Sequence, residues 1–174
     1  MKSWQQAFED ALVSGTAASL CSAAALAVCG KIERNTAAGP NNGPSQWVWG
    51  ESAAYERRAT LRHTAVGYAI HHAMSIFWAT LHEKLQRSHE EPEHVGKLLA
   101  KCVATAGAAC FVDYQLTPRR LRPGFEKQLS RRSLLVVYAA FAAGLAVGQP
   151  LVRRFGLSAL PHSKKGPDVR DIRP

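Results

Sequence analysis

Three stretches of twenty residues, none of them with a charged side chain, constrain the fold of this chain most strongly. Residues 11–30, 63–82 and 133–152 contain no Asp, Glu, Lys or Arg. A helix needs about 20 predominantly apolar residues to cross the hydrocarbon core of a bilayer. A soluble amphipathic helix would instead carry charge on its solvent face every three or four residues. The pattern therefore predicts membrane-spanning helices in all three stretches.

A fourth apolar segment, residues 95–117, is interrupted by three charged residues, Lys97, Lys101 and Asp113. The two lysines lie in its first turns, where long side chains can extend to the membrane interface. Together the four segments predict an all-α fold, an integral-membrane four-helix bundle. A soluble Ala-rich bundle is the alternative, because the mean hydropathy of −0.15 is low for a membrane protein.

The rest of the chain divides around these spans. Residues 1–152 form a single predicted transmembrane domain, whose first helix begins at about residue 11 and serves as an uncleaved anchor. The first loop, residues 31–62, is long and is predicted to be irregular, because it contains Gly39, Pro40, Gly43, Pro44 and Gly50. Residues 153–174 form a basic tail with three prolines and are predicted to be disordered.

The net charge of +9 comes mainly from basic residues that flank the apolar segments. No nucleic-acid-binding motif accompanies them, so nucleic acid is not an expected partner. Attraction to the anionic head groups of the lipid bilayer explains them better. Lys and Arg are balanced between the two predicted sides of the membrane, eleven on each, so the positive-inside rule leaves the orientation open.

Small residues recur at four-residue spacing in two of the predicted spans. The last span carries Ala140, Gly144 and Gly148, and the first span carries Gly15 and Ser19. Small side chains let helices approach closely in a membrane, where the hydrophobic effect does not drive their association. The pattern predicts close packing, either within one chain or in a homodimer, and does not distinguish the two.

The second span contains four histidines, which its helical geometry separates. At 100° per residue, one stripe collects side chains that each have a polar atom: Thr64, Tyr68, His71, Ser75, Trp78 and His82. His71 is the deepest imidazole on this stripe, His72 points about 100° away, and His63 lies at the membrane boundary. The helix is thus predicted to turn a hydrogen-bonding seam toward its partners and an apolar back toward lipid.

No cofactor or metal is expected from the sequence. Haem held by two histidines needs an axial ligand from a second helix, and the other three spans contain no His or Met. The four cysteines all lie in predicted spans and form no C-x-x-C pair, which argues against a zinc site.

Asp113 is the candidate partner of the histidine helix. If the second and third spans run antiparallel, Tyr68 lies level with Asp113, and His71 lies about one turn deeper. An intramembrane carboxylate is costly to expose to lipid and is a functional candidate by default. Arg119 or Arg120 could also reach back and neutralise it, so a structural ion pair and a proton or substrate site both stay open.

The same topology brings the first loop and the third loop, residues 118–132, to one membrane face. Arg119 and Arg120 would border a pocket there beside His63. Trp47 and Trp49 are predicted to alternate on an extended segment and therefore to point the same way. Such a pocket would suit an anionic ligand or a lipid head group, and the alternative is that the tryptophans are interfacial anchors.

The chain resembles a group of small proteobacterial inner-membrane proteins with no assigned activity, through the segments GPNNGPSQWVWG (39–50), RHTAVGYAIHH (62–72), DYQLTPRRLRPGFE (113–126) and VYAAFAAGLAVG (137–148). The resemblance implies a multi-pass protein of the inner (plasma) membrane and transfers no site residue. A structural or accessory role is the leading expectation. The alternative is proton-linked transport or anionic ligand or lipid binding through His71, Tyr68 and Asp113. An enzyme is less favoured, because no nucleophile, base and orienting group stand at a known spacing.

Overall fold

The computed structural model describes residues 2–86 and 94–155, and within them the secondary structure is entirely helical. Four long helices make up most of this part of the chain. They are α1 (Trp4–Arg34), α2 (Val66–Lys84), α3 (Val95–Phe111) and α4 (Arg131–Phe155). A single π-helical turn precedes α2 at Leu61–Ala65, and another follows α3 at Val112–Leu116.

Three of these helices are long and apolar enough to cross a membrane: Trp4–Arg34, Arg131–Phe155, and α3 together with its π turn, Val95–Leu116. The second predicted span, now α2, does not reach that apolarity among the described residues. Its polar stripe explains the difference, because the stripe replaces apolar side chains with imidazole, hydroxyl and indole groups. The structure therefore supports three candidate spans by length and composition.

The first helix begins well before the predicted residue 11. The Ser3 hydroxyl accepts a hydrogen bond from the backbone N–H of Gln6, and the Gln6 side chain accepts one from the backbone N–H of Ser3. This reciprocal capping box satisfies two N–H groups that a helix end would otherwise leave unpaired. The helix starts at Trp4 for that reason, and the charged residues ahead of the apolar window are helical.

The first loop is not irregular, as the sequence predicted, but a series of short helical turns. They are Ala38–Asn42, Gly43–Ser45, Gln46–Trp49 and Glu51–Tyr55. Buried amides fix these turns: the Asn42 side chain donates to the carbonyls of Glu56 and Arg58, and the Gln46 side chain donates to the carbonyl of Arg122. The glycines and prolines limit the length of each turn and do not prevent helical conformation.

The small-residue pattern packs α1 against its neighbours within one chain. A Cβ atom added to Gly144 would lie 2.5 Å from the Cα atom of Ala18, and one added to Gly148 would lie 2.7 Å from that of Ser14. On another face of α1, Gly15 approaches the backbone of Ile76 in α2 equally closely. The glycines of α4 are therefore occupied inside the chain, which removes them as a free dimerisation stripe. Ser19 is buried as well, and Ala140 is half-buried.

The outer faces of the long helices carry large apolar side chains. α1 packs closely on both α2 and α4. The outer faces are those turned away from the contacts between helices. Exposed examples are Phe8, Leu20, Val28 and Ile32 on α1, Phe77 on α2, Leu99, Val103 and Phe111 on α3, and Leu135, Val136 and Val147 on α4. Contiguous exposed apolar surface of this kind is typical of a membrane or protein contact.

The end of α4 differs from the predicted boundary at residue 152. The helix continues to Phe155, so residues 153–155 are helical and do not belong to a disordered tail. The remainder of that predicted tail, residues 156–174, lies outside the described residues.

Candidate functional site

The middle of the polar stripe of α2 faces α1, whereas Nδ1 of His82, at the end of the stripe, lies 2.9 Å from the Thr105 hydroxyl of α3. Hydrogen bonds join α2 to α1 along the middle part. The Ser22 hydroxyl lies 2.9 Å from Nε2 of His71, and the Ser19 hydroxyl lies 3.5 Å from the Tyr68 hydroxyl. Ser75, on the same stripe, is buried. The apolar back of α2 is narrower than the sequence predicted, because Ile76 packs against Gly15.

Asp113 pairs with α4 and not with the histidine helix. The Tyr138 hydroxyl donates a hydrogen bond of 2.6 Å to Oδ2 of Asp113. Asp113 lies in the π turn after α3, where the backbone N–H of Thr117 bonds to the carbonyl of Val112. Turns of this type recur at functional sites. The predicted direct contact of Asp113 with Tyr68 is absent from the hydrogen bonds of the described residues.

The predicted neutralisation of Asp113 by the third loop is also not observed. Arg119 and Arg120 lie in a short helical turn, Arg119–Leu121, and both side chains are exposed. Within the described residues neither forms an ion pair with Asp113. The Asp113 carboxylate is instead hydrogen-bonded by Tyr138, a residue that the sequence reasoning did not single out. Its position one turn into the last charge-free window was the available signal.

His71 and Asp113 nevertheless face the same cavity. Its volume is about 570 Å³, counting the space at its mouth. The cavity lies where α2 and α3 diverge, since these two helices share few contacts. Residues of α4, of the first loop and of the loop between α3 and α4 also line its wall. Its wall is largely apolar, with Ile70, Met74, Ala109, Pro123, Phe125, Val137 and Phe141, and its polar groups are Ser22, His71, Ser75, Asp113 and Tyr138.

One buried side-chain nitrogen of the cavity wall has no hydrogen-bond partner within the described residues, and the carboxylate of the wall accepts a single hydrogen bond. Nε1 of Trp78 is buried and has no hydrogen bond within the described residues. Asp113 receives the Tyr138 hydroxyl on Oδ2, and no described residue donates to its other oxygen. Buried polar groups are nearly always paired. An indole donor and a carboxylate acceptor are therefore available to a molecule in the cavity.

Trp47 and Trp49 point to different places, which contradicts the predicted extended segment. Both lie in the helical turn Gln46–Trp49, where residues two apart cannot share a face. Trp47 lines the cavity and donates to the carbonyl of Arg122 at 3.2 Å. Trp49 donates to the carbonyl of Arg62 at 3.1 Å, and the Arg62 guanidinium lies 4.5 Å from the centre of its ring.

The end of the molecule formed by the first and third loops, here called the loop face, thus contains a second pocket, separate from the cavity. Trp49 and His63 line it together with Arg62 and Glu56. The predicted composite pocket with both tryptophans, His63, Arg119 and Arg120 is not formed. The helical geometry of the first loop divides its residues between two sites.

A buried charge network closes the opposite end of the helices, and the sequence reasoning missed it. Nζ of Lys2 lies 2.8 Å from Oδ2 of Asp10 and 2.6 Å from Oε2 of Glu83. The Gln149 side chain donates to Oε1 of Glu83 at 2.6 Å. Asp10 and Glu83 directly flank two of the charge-free windows. That position made them look like solvated boundary residues, whereas both are fully buried.

No group of three or more His, Cys, Asp or Glu side chains within residues 2–86 and 94–155 is arranged to hold a metal ion. Comparisons with protein families, curated proteins and solved structures find no match to this chain. Function is therefore argued from the geometry of the cavity and the loop face.

Proposed function

We propose that this chain is a multi-pass inner-membrane protein whose four long helices form a bundle around a ligand-binding cavity. Three apolar helices and the exposed apolar faces of α1, α3 and α4 support insertion into a bilayer. α2 would be the fourth span, with its polar stripe turned toward α1 and α3 and away from lipid. The resemblance to small inner-membrane proteins gives the expected compartment.

Membrane insertion predicts that the protein resists extraction from membranes at alkaline pH. Membranes from cells that produce the full chain would be washed with sodium carbonate and sedimented. We expect the protein in the pellet and in the detergent extract of that pellet. Release into the carbonate supernatant would overturn the membrane proposal, because peripheral and soluble proteins behave in that way.

The cavity is the observation that carries a binding function. Small-molecule sites are typically concave spaces with mostly apolar walls and a few placed polar groups. The space between α2 and α3 has a wall of that composition. An amphipathic molecule could enter it from the bilayer, since the two helices are only sparsely in contact there.

The polar groups of the wall indicate which charge and which hydrogen-bonding groups the polar end of such a molecule would carry. The unpaired oxygen of Asp113 would accept a hydrogen bond from a hydroxyl or amine, and Nε1 of Trp78 would donate one to an oxygen. An anionic head is disfavoured beside the Asp113 carboxylate, and Arg119 and Arg120 do not line the cavity to offset it. We therefore propose an uncharged or cationic amphipathic ligand, in place of the anionic one that the sequence suggested.

Filling the cavity tests this function. In Ala109→Phe the new ring would occupy the space between α2 and α3, because Ala109 is buried and lines the cavity. We expect a small molecule to co-purify with the unmodified protein and to be lost from this variant, as measured by mass spectrometry of solvent extracts. Ala104→Phe is the control, since Ala104 lies on the exposed side of the same helix.

Asp113→Asn keeps the shape of the cavity and changes the acceptor. We expect binding of the co-purified molecule to weaken about tenfold, since hydrogen bonds to charged groups contribute about 1.5–3 kcal/mol. Equal ligand content in the unmodified protein, Ala109→Phe and Asp113→Asn would contradict the binding proposal. Titrating the identified molecule into the purified protein at several pH values would test proton-linked transport, which requires the affinity to change with protonation.

A structural or accessory role is the second candidate, and the hydrogen bonds between helices favour it. Ser22 with His71 links α1 to α2, and Tyr138 with Asp113 links the π turn of α3 to α4. Hydrogen bonds of this kind between membrane helices contribute about 0.6–2 kcal/mol each. Under this proposal Asp113→Asn would lower assembly or thermal stability, and no small molecule would co-purify with either the unmodified protein or the variant.

A further inference from the structure

The second pocket of the loop face has a charge pattern that the cavity lacks. It is an open space of about 700 Å³ with mainly polar walls, lined by Trp49, Ser52, Tyr55, Glu56, Arg62 and His63. It therefore combines one guanidinium, one carboxylate and an imidazole within a single concave surface.

The basic side of the pocket is held in place by Trp49. The ring of Trp49 stacks under the Arg62 guanidinium, and its indole N–H is bonded to the Arg62 carbonyl. His63 follows in the same π turn, and its Nδ1 lies 3.1 Å from the Thr60 hydroxyl, which leaves Nε2 as the ring nitrogen available to a ligand. A fixed guanidinium next to an imidazole is suited to a phosphate group.

The acidic side of the pocket is Glu56. Its Oε1 accepts the backbone N–H groups of Arg57 and Arg58, at 3.0 and 2.8 Å, and lies 3.6 Å from Nε of the exposed Arg58 side chain. The hydrogen bond from the Arg58 N–H lowers the pKa of the Glu56 carboxyl, so this group is ionised at neutral pH. No described residue donates a hydrogen bond to Oε2, which can accept one from a ligand.

The surroundings of the pocket place it at the surface of the proposed membrane. Leu61 is 89 % exposed at the start of the π turn that carries Arg62 and His63. Trp49 and Tyr55 are exposed aromatic residues, which concentrate at membrane interfaces. The two loops of this face, residues 31–62 and 118–132, together contain eleven Lys and Arg against four Glu.

We infer that this pocket binds the head group of a zwitterionic phospholipid that carries a primary ammonium, with the phosphate on Arg62 and His63 and the ammonium on Glu56. The inference rests on the proposed membrane insertion and is independent of the cavity ligand. An anionic phosphoglycerol head group would place no cation on the Glu56 carboxylate. A quaternary ammonium has no N–H to donate, and Arg62 and Lys127 each occupy a face of the two rings that could otherwise hold it.

Lipid binding to the detergent-purified full chain tests this inference by native mass spectrometry. Phosphatidylethanolamine, phosphatidylcholine and phosphatidylglycerol with identical acyl chains would be titrated separately. We expect phosphatidylethanolamine to bind about tenfold more tightly than phosphatidylcholine, the difference that one charge-assisted hydrogen bond produces. We also expect soluble glycerophosphoethanolamine to compete with it.

Variants of the two charged groups separate a defined site from diffuse attraction. Glu56→Gln should reduce phosphatidylethanolamine binding to the level of phosphatidylcholine, and Arg62→Gln should weaken both lipids. Arg120→Gln, which removes the same charge from an exposed position outside the pocket, should change neither. Equal losses in Arg62→Gln and Arg120→Gln, or tightest binding by phosphatidylglycerol, would overturn the inference.

The same measurements distinguish this site from the cavity. Ala109→Phe should keep its preference for phosphatidylethanolamine, and Glu56→Gln should keep its co-purified cavity ligand. Loss of the lipid preference alone would remove the head-group site and leave the cavity proposal intact. Release by carbonate would remove membrane insertion, whatever the lipid titration shows in detergent.

Discussion

Gly144→Ala is expected to destabilise the protein by about 3 kcal/mol, at the upper end of the range for overpacked sites. The single added methyl group would lie 2.5 Å from the Cα atom of Ala18 and 2.8 Å from the carbonyl oxygen of Ala17. Both obstacles are backbone atoms of α1, so no side chain can rotate to make room. The helices α1 and α4 would have to separate along their whole contact.

The matched control for this substitution is Gly107→Ala. Gly107 also lies within a long helix, but nothing stands within 4 Å of a Cβ atom added there. Because alanine is the better helix former by about 1 kcal/mol, this control should be neutral or slightly stabilising. Thermal unfolding of the purified variants in one detergent measures both effects. Equal unfolding temperatures of the two variants would contradict the packing of α4 on α1.

Helix identity and the contact stripe of α4 could be predicted from sequence because they depend on local pattern. The three charge-free windows and the apolar segment 95–117 locate the four long helices, and the four-residue spacing of Gly144 and Gly148 locates a close contact. The sequence could not say that α1 is the partner. That choice depends on which small surface of the chain lies opposite, and Ser14 and Ala18 belong to a segment more than 120 residues away.

Element boundaries were harder to predict because tertiary contacts decide them. The capping box at Ser3 extends α1 seven residues beyond its apolar window. In the first loop, Asn42 and Gln46 are bonded to backbone carbonyls that are distant in sequence, and these bonds hold short helical turns where prolines suggested irregular chain. Trp47 and Trp49 consequently diverge into the cavity and the second pocket.

Of the predicted cluster, His71 and Asp113 line the cavity and Tyr68 does not, and the hydrogen bonds of the first two were not predicted. His71 and Asp113 do share one cavity, as their depth along antiparallel helices indicated. Their hydrogen bonds nevertheless go to Ser22 and Tyr138, on helices whose rotation the sequence pattern did not specify. Helical projection gives the direction of a side chain on its own helix and says nothing about the neighbour that meets it.

Lys2→Met is expected to cost about 3–5 kcal/mol of folding stability, the range for breaking a buried ion pair by removing one partner. The Lys2 ammonium lies between the carboxylates of Asp10 and Glu83, and all three side chains are 3 % exposed or less. Methionine has a similar length and fills the same space, so the loss reports on charge more than on packing. Lys97→Met is the control, because Lys97 is exposed on α3.

A double variant shows whether the effect arises from the charge pair. In Lys2→Met with Glu83→Gln, the ammonium and one carboxylate are both absent, and the Gln149 side chain can still bond to the new amide. If the buried pair is the cause, the double variant should be more stable than the sum of the single losses predicts, by about 1–3 kcal/mol. Additive losses would show that Lys2 and Glu83 act independently. The ion pair between them would then add nothing to the stability beyond the separate contributions of the two side chains.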